Sequence, residues 1–190
     1  MFERILQVIR FIKETDIERV YEIYSYYVTY TEASLEIEAP TLEQFRKRVN
    51  SIMKTHPYIV YESKDKNIIG FAYATKFMDR EGYKYSVTTS IYLDPNFTGK
   101  GKGEHLYKSL LALLNVQGYY TAYAIITKSN EKSMDFHEKV GFEPVAELDQ
   151  IGYKFNKWID TIYYAYPIKS STKFPEPIKS VSTIDFIKFF

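Results

Sequence analysis

The run FTGKGKGEHLY, residues 97 to 107, places glycines at 99, 101 and 103, threads Lys100 and Lys102 between them, and passes directly into a leucine-rich helical pattern. Closely spaced glycines let a backbone approach an anion and take up the positive φ that a nest of N–H groups needs. A helix start adds unpaired N–H groups and partial positive charge. The chemistry this spacing suits is the holding of phosphate, set against the blander reading of a glycine-rich solvated turn. Two phosphate motifs fail on spacing. A Walker A loop needs a lysine and a hydroxyl directly after its last glycine, but Gly103 is followed by Glu104. The dinucleotide fingerprint needs a third glycine where Glu104 stands. His137 lies three residues after Met134 and three before Val140, on the inner face of the last helical pattern. It is either a core histidine or a general acid or base with an ordinary pKa of about 6.5. His56 precedes Pro57 and His105 follows the glycine loop, so both read as structural or solvated. Three scattered histidines and no cysteine argue against a metal site.

The elements that must position these residues follow from periodicity. Residues 6 to 11 read as a first strand covered on both faces. Thr15 with Glu18 reads as a capping box that opens a helix carrying Ile17, Val20, Tyr21, Tyr24 and Val28. Pro40 and Thr41 open a second helix, with Gln44 completing a box and Leu42, Phe45, Val49, Ile52 and Met53 as its apolar stripe. Between them TEASLEIEA is an acidic connector. YIVYES and IIGFAYAT around KDKN predict an antiparallel hairpin over 58 to 75, followed by a charged loop over 76 to 82. Residues 83 to 94 predict a strand, Leu106 to Leu114 a helix ended by Gly118, and 121 to 127 a second strand: a parallel crossover. A helix after Asn130, itself a favoured N-cap, stops at Gly141. FEPVAEL, IGYKF and WIDTIYYAYPI then supply three closing strands. The fold class is α+β, with a mixed, mostly antiparallel sheet containing one parallel β-α-β crossover and flanking helices. Residues 1–168 form one domain, and 169–190 form a Ser/Lys/Pro linker with an aromatic tail.

A chain of 190 residues with 45% hydrophobic content can bury the core of a single domain. Its net charge of +1 offers no field for nucleic acid or a membrane surface, and no apolar run reaches the length of a span. The N-terminus mixes charge into its apolar residues and lacks a signal peptide's block, which points to a cytoplasmic protein.

Strand, D-P-x-x-x-x-x-G-x-G, helix, strand, Asn130 and then FHEKVGF resembles the GNAT (GCN5-related N-acetyltransferase) family. Over residues 8 to about 168 the resemblance is closer to its phosphinothricin acetyltransferase branch. It is carried by IYLDP, GEHLYKSLL, SNEKSMDFHEKVGF and GYKFNKWID, in that order and spacing. It implies an acetyl-CoA-dependent N-acetyltransferase acting on a small primary amine such as an amino acid or analogue, with no metal and with a homodimer through the late strands. Ile91 and Leu93 would line the cofactor strand and pair with the pantetheine arm. Thr98, Lys100, Gly101, Lys102 and Gly103 would form the pyrophosphate loop, with Thr98 replacing the usual Gln or Arg, and Asn130 would contact pantetheine. The family's strand glutamate is replaced by Thr88, a hydroxyl that positions water but holds no proton at neutral pH. His137 is then the expected acid–base group. Arg80, Tyr83, Glu32 and Glu36 would wall the acceptor pocket. The replacements at Thr88 and Thr98 leave a second reading, a catalytically impaired acyl-CoA-binding or sensing protein on the same fold.

Overall fold

The computed structural model describes residues 8–97 and 101–184. In chain order its elements are β1 (Val8–Phe11), α1 (Ile17–Tyr30), α2 (Leu42–Ile52), β2 (Tyr58–Glu62), β3 (Ile68–Lys76), β4 (Ser86–Leu93), α3 (Lys102–Gln117), β5 (Thr121–Thr127), α4 (Glu131–Val140), β6 (Glu143–Lys154) and β7 (Lys157–Pro167). The sheet has seven strands in the order β1-β2-β3-β4-β5-β7-β6. Every neighbouring pair is antiparallel except β4 with β5, which α3 connects. This is the mixed α+β sheet read from the sequence.

Two cores follow from strand alternation. β2 is buried at all five positions. Tyr58 and Val60 face Ile17, Val20, Val28, Phe45 and Val49 of α1 and α2, whereas Ile59 and Tyr61 face the α3 leucines. Leu106, Leu110, Leu113 and Leu114 are all fully buried, so truncating Leu110 to Ala would cost about 2–5 kcal/mol. Gly118 and Gly141 end α3 and α4 with φ of +108° and +111°, the left-handed cap that glycine adopts at least cost. Thr41 and Gln44 form the expected reciprocal capping box of α2.

Three local expectations are corrected. The box at Thr15 and Glu18 does not form. A 3-10 turn (Glu14–Asp16) precedes α1, and the Asp16 carboxylate instead accepts from the Lys13 N–H at 2.7 Å and pairs with Arg10. The strand expected from residue 83 begins at Ser86, because Glu81–Tyr83 close a 3-10 turn. FEPVAEL and IGYKF are one long strand, β6, whose register on β7 slips between Leu148 and Gly152; Gln150 there takes φ +52°. Part of the expected first strand, residues 6 and 7, and the tail beyond 184 lie outside the described residues. From Thr172 to Ile184 the C-terminal segment lies on the domain. Ile178 and Ile184 join the α3 core, and Gln117 exchanges backbone-linked hydrogen bonds with Lys179.

Candidate active site

The parallel ladder between β4 and β5 is short. It pairs Ser86, Val87 and Thr88 with Thr121, Ala122 and Tyr123, and then stops. Beyond that point β4 stays bonded to β3 as far as Leu93, and β5 stays bonded to β7 as far as Thr127, so the two strands part. Between them opens a cleft of about 530 Å³, lined by Thr89 to Leu93 on one side and Ala124 to Thr127 on the other. Each strand thus keeps an edge of peptide groups that no ladder partner covers, and an extended, amide-bearing ligand can pair there.

The fork is held by side chains. Thr89 Oγ1 donates to the Tyr123 carbonyl at 3.1 Å and shares a 2.7 Å hydrogen bond with the Tyr107 hydroxyl. Since its one proton goes to the carbonyl, Thr89 accepts from Tyr107. Burial pushes the Tyr107 phenol well above its ordinary pKa, which keeps it a donor. At the far end of β4 the Tyr27 hydroxyl donates to the Leu93 carbonyl at 2.6 Å. The next residue, Asp94, is buried, paired with Arg19, and accepts from the Asn96 N–H at 2.8 Å. Neither Thr89 nor Tyr107 stands out in the sequence. In SVTTSIYL the only signal is alternation, which sends Thr89 and Thr88 to opposite faces.

Past Asp94 the chain turns through Pro95–Phe97 toward α3. Thr98 and Lys100 lie outside the described residues. Gly101 is the N-cap of α3 at φ +74°, and a Cβ there would meet nothing within 4 Å. Gly103 plays a different part. A Cβ on it would come within 3.2 Å of Leu93 and 3.3 Å of Phe136, so its bareness lets α3 pack against both β4 and α4. Lys102 opens the helix, with its ammonium 5.2 Å from the Phe97 ring centroid. The first turn of α3, with its free N–H groups, therefore stands at the mouth of the cleft, which Gly103 and Leu93 line.

On the α4 side, Asn130, Ser133, Phe136 and His137 line the cleft. Asn130 caps α4, accepting from the Ser133 N–H at 3.2 Å, so capping and cleft lining coincide in one residue. His137 is 4% exposed and ringed by Tyr107, Phe136 and Phe142, each at 5.2–5.3 Å between ring centroids. Its Nδ1 lies 2.7 Å from the Ser133 carbonyl. A carbonyl only accepts, so Nδ1 carries the proton and Nε2 is left as the basic nitrogen. Burial lowers the pKa of His137, and the Ser133 bond opposes that in part.

The expected acceptor residues fall into three groups. Thr88 stands beside Tyr123 at the base of the fork; the cleft itself is lined by its neighbours Thr89 and Ser90. Phe77 stacks on Tyr123 at 4.2 Å and meets Tyr83 edge-on at 6.3 Å, which brings the exposed turn carrying Arg80 and Tyr83 to the Thr88 face. The acidic connector is not a bare negative wall. Glu32 binds Lys157 and Ser129, both at 2.6 Å, and Lys157 holds its carboxyl below the usual range. Glu36 pairs with Arg48 at 2.6 Å and accepts from the Tyr24 hydroxyl at 3.0 Å. Sequence reasoning missed Thr127 and Thr161. They sit opposite each other on β5 and β7, are 5% and 2% exposed, and their hydroxyl oxygens have no hydrogen-bond partner among the described residues. Thr127 lines the cleft, with its hydroxyl oxygen itself buried. Among the described residues no cluster of metal-ligating side chains occurs, and no helix is long and apolar enough to cross a membrane.

Comparison with known proteins agrees with this geometry. The family model described as an acetyltransferase (GNAT) domain matches residues 9–163. The phosphinothricin N-acetyltransferase of Alcaligenes faecalis is 30% identical over 171 residues, covering 88% of this chain and 86% of that protein. An L-amino acid N-acyltransferase of Escherichia coli is 27% identical, with coverage of 87% and 96%. Among solved structures, a phosphinothricin acetyltransferase from Sinorhizobium meliloti in complex with acetyl-CoA superposes with a TM-score of 0.83 at 28% identity, over 90% of this chain and 96% of that one. A forked sheet of this topology, a helix start at the mouth of the fork and a match over most of the chain lead to one conclusion: the chain belongs to the GNAT acetyltransferase family, in its phosphinothricin acetyltransferase-like branch.

Proposed function

We propose that this protein transfers an acetyl group from acetyl-CoA to the primary amine of a small amino acid or amino-acid analogue. The observation that carries the reading is His137, a buried imidazole on the wall of the forked cleft with Nδ1 engaged and Nε2 free to take a proton. The cleft fits an acetyl-CoA arm: Ile91 and Leu93 lie on a strand edge with no ladder partner on the β5 side, and Gly101, Lys102 and Gly103 give a helix start for the pyrophosphate, with Asn130 alongside. Acetyl-CoA, when bound, supplies the activated acetyl group and a sulfur leaving group. The protein's own task is proton handling. An amine attacks only as the free base, and His137 Nε2 is the group that accepts the ammonium proton and returns one to the departing sulfur. Thr88, near the fork, serves to hold water.

An amino-acid acceptor is favoured by charge. Glu32 and Glu36 are committed to Lys157 and Arg48, which leaves little negative field for a polyamine or an aminoglycoside. Arg80, exposed on the turn that reaches the Thr88 face, suits a carboxylate. The relatives' names agree in kind: phosphinothricin, L-amino acids, and methionine sulfoximine or sulfone. The late strands carry exposed Ile151, Tyr153, Phe155 and Trp158, a surface suited to a second copy of the chain. The test is a thiol-release assay with acetyl-CoA over amino acids, polyamines and aminoglycosides. Turnover confined to α-amino acids is expected. Turnover confined to polycations would overturn the acceptor class, and acetyl-CoA binding without any turnover would favour a binding protein.

A further inference from the structure

Lysine is almost never fully buried without a compensating partner, yet Lys154, the last residue of β6, is 2% exposed. Its ammonium donates to three main-chain carbonyls: Val28 at 2.7 Å, Thr31 at 2.9 Å and Ser34 at 2.6 Å. Three N–H groups meet three acceptors, so no donor is left over. Val28 belongs to the last turn of α1, where unpaired carbonyls and the helix dipole favour a cation. Thr31 and Ser34 lie in the loop that joins α1 to α2. Between those two residues stands Ala33, which lines the cleft.

We propose that Lys154 is a positioning residue for the acceptor side of the cleft, fixing the path of the α1–α2 loop so that Ala33 and its neighbours form a preformed wall. The proposal rests on the acetyl-transfer reading above for its kinetic consequence, though not for its structural one. Two further contacts bind the same loop to the same hairpin. Glu32 joins Lys157, which faces Lys154 in the β6–β7 register. Leu35 lies over Gly152, where an added Cβ would come within 2.8 Å of it. The cofactor side has an anchor apart from this loop, through Thr89 to Tyr123 and Tyr107. Losing Lys154 should therefore separate the two sides. Because the ammonium binds main chain rather than side chains, it reads the loop's course and not its residue types.

Lys154→Met keeps the length and apolar stem of the side chain and removes all three donors. The expected result is at least a tenfold rise in KM for the best acceptor, kcat within about threefold, acetyl-CoA Kd by calorimetry within about twofold, and faster amide hydrogen exchange confined to residues 31–39. Unchanged KM and exchange would overturn the proposal, as would a parallel loss of acetyl-CoA affinity, which would mark a general loosening. Should Lys154→Met fail to fold, Lys154→Arg carries the test. A planar guanidinium keeps the charge but cannot offer three donors from one point, so KM should rise severalfold with Kd unchanged, and an unaltered KM would again refute the role. If the unmodified protein turns over no amine, the acetyl-transfer reading fails on its own, and hydrogen exchange over 31–39 still decides whether Lys154 holds the loop.

Discussion

The cofactor side of the cleft and the acceptor side differ in how far apart in sequence their parts lie. From Thr89 through Leu93, Gly101 and Gly103 to Tyr107, the first is one stretch of chain, completed by the Asn130 to His137 turns of α4. The second gathers Tyr27, Ala33, Thr127, Lys154, Lys157 and Thr161 from α1, its following loop, β5 and the β6–β7 hairpin. The first works largely through backbone: an uncovered strand edge, a left-handed glycine and a helix start. The second works through side chains that clamp a loop. A ligand whose chemistry is fixed is met by backbone geometry, whereas the side that selects among amines is built from parts that can be exchanged one at a time.

The largest expected effect falls where the two sides meet. His137→Ala should lower kcat by about 10²-fold or more, the usual loss for a general acid or base, with acetyl-CoA affinity nearly unchanged. Burial holds the His137 pKa below its ordinary value of about 6.5, so the basic form persists at neutral pH. The kcat of the unmodified protein should fall on acidification with an inflection below 6.5, and the alanine variant should lack it. Stability follows the same sign. Because the folded pKa is the lower one, His137 favours the folded state above about 6.5 and loses that contribution as pH falls through the folded value. Acid melting curves of the two proteins should therefore converge. A variant with an unchanged rate and pH profile would move the proton chemistry to the acceptor side.

Gly101→Val tests the backbone character of the cofactor side. The added side chain meets no protein atom, so its cost is conformational: about 1–2 kcal/mol for a left-handed residue, and more for a β-branched one. Any rearrangement of the α3 start removes N–H groups from the mouth of the cleft. Acetyl-CoA affinity should weaken by about tenfold or more in calorimetry, with the acceptor KM at saturating cofactor little altered. Equal affinity would make the glycine run a turn and nothing else. Arg80→Lys probes the other side and should act more weakly. The planar fork is lost while the charge remains, so KM for carboxylated acceptors should rise severalfold and acetyl-CoA binding should not change. A KM that stays the same would remove Arg80 from the pocket.

That contrast also sets what could be read from the chain alone. The crossover and the start of α3 are legible because their signals are local: a strand of β-branched residues, closely spaced glycines before the leucine stripe, and Gly118 after it. His137 was legible by its place in the 3.6-residue period. The acceptor side was not. Glu32 and Glu36 looked like an acidic wall because their partners, Lys157 and Arg48, are remote in sequence and joined only by the fold. Lys154 carries no signal of its own in IGYKF, and its burial depends on carbonyls more than a hundred residues earlier. Thr127 and Thr161 become a pair only when β5 and β7 come into register. The failed box at Thr15 shows that even a local signal yields when tertiary charge competes, since Asp16 is drawn to Arg10 and takes the turn with it.

The smallest effect concerns Asn130, where structure and ligand share one side chain. As the cap of α4 its oxygen accepts from the Ser133 N–H, a bond whose loss costs about 1 kcal/mol, or a fall of roughly 2–4 °C in Tm for a chain of this size. Asn130→Ala should show that loss. Aspartate caps as well as asparagine, so Asn130→Asp should keep the melting temperature while replacing the amide donor with a second acceptor at the cleft. If Asn130 also donates to an amide carbonyl of the bound cofactor arm, the aspartate variant should bind acetyl-CoA severalfold more weakly with its fold intact. Tm and Kd would then separate. Should both variants bind acetyl-CoA as the unmodified protein does, Asn130 serves α4 alone, and the cofactor side of the cleft owes its affinity to the strand edge and the α3 start.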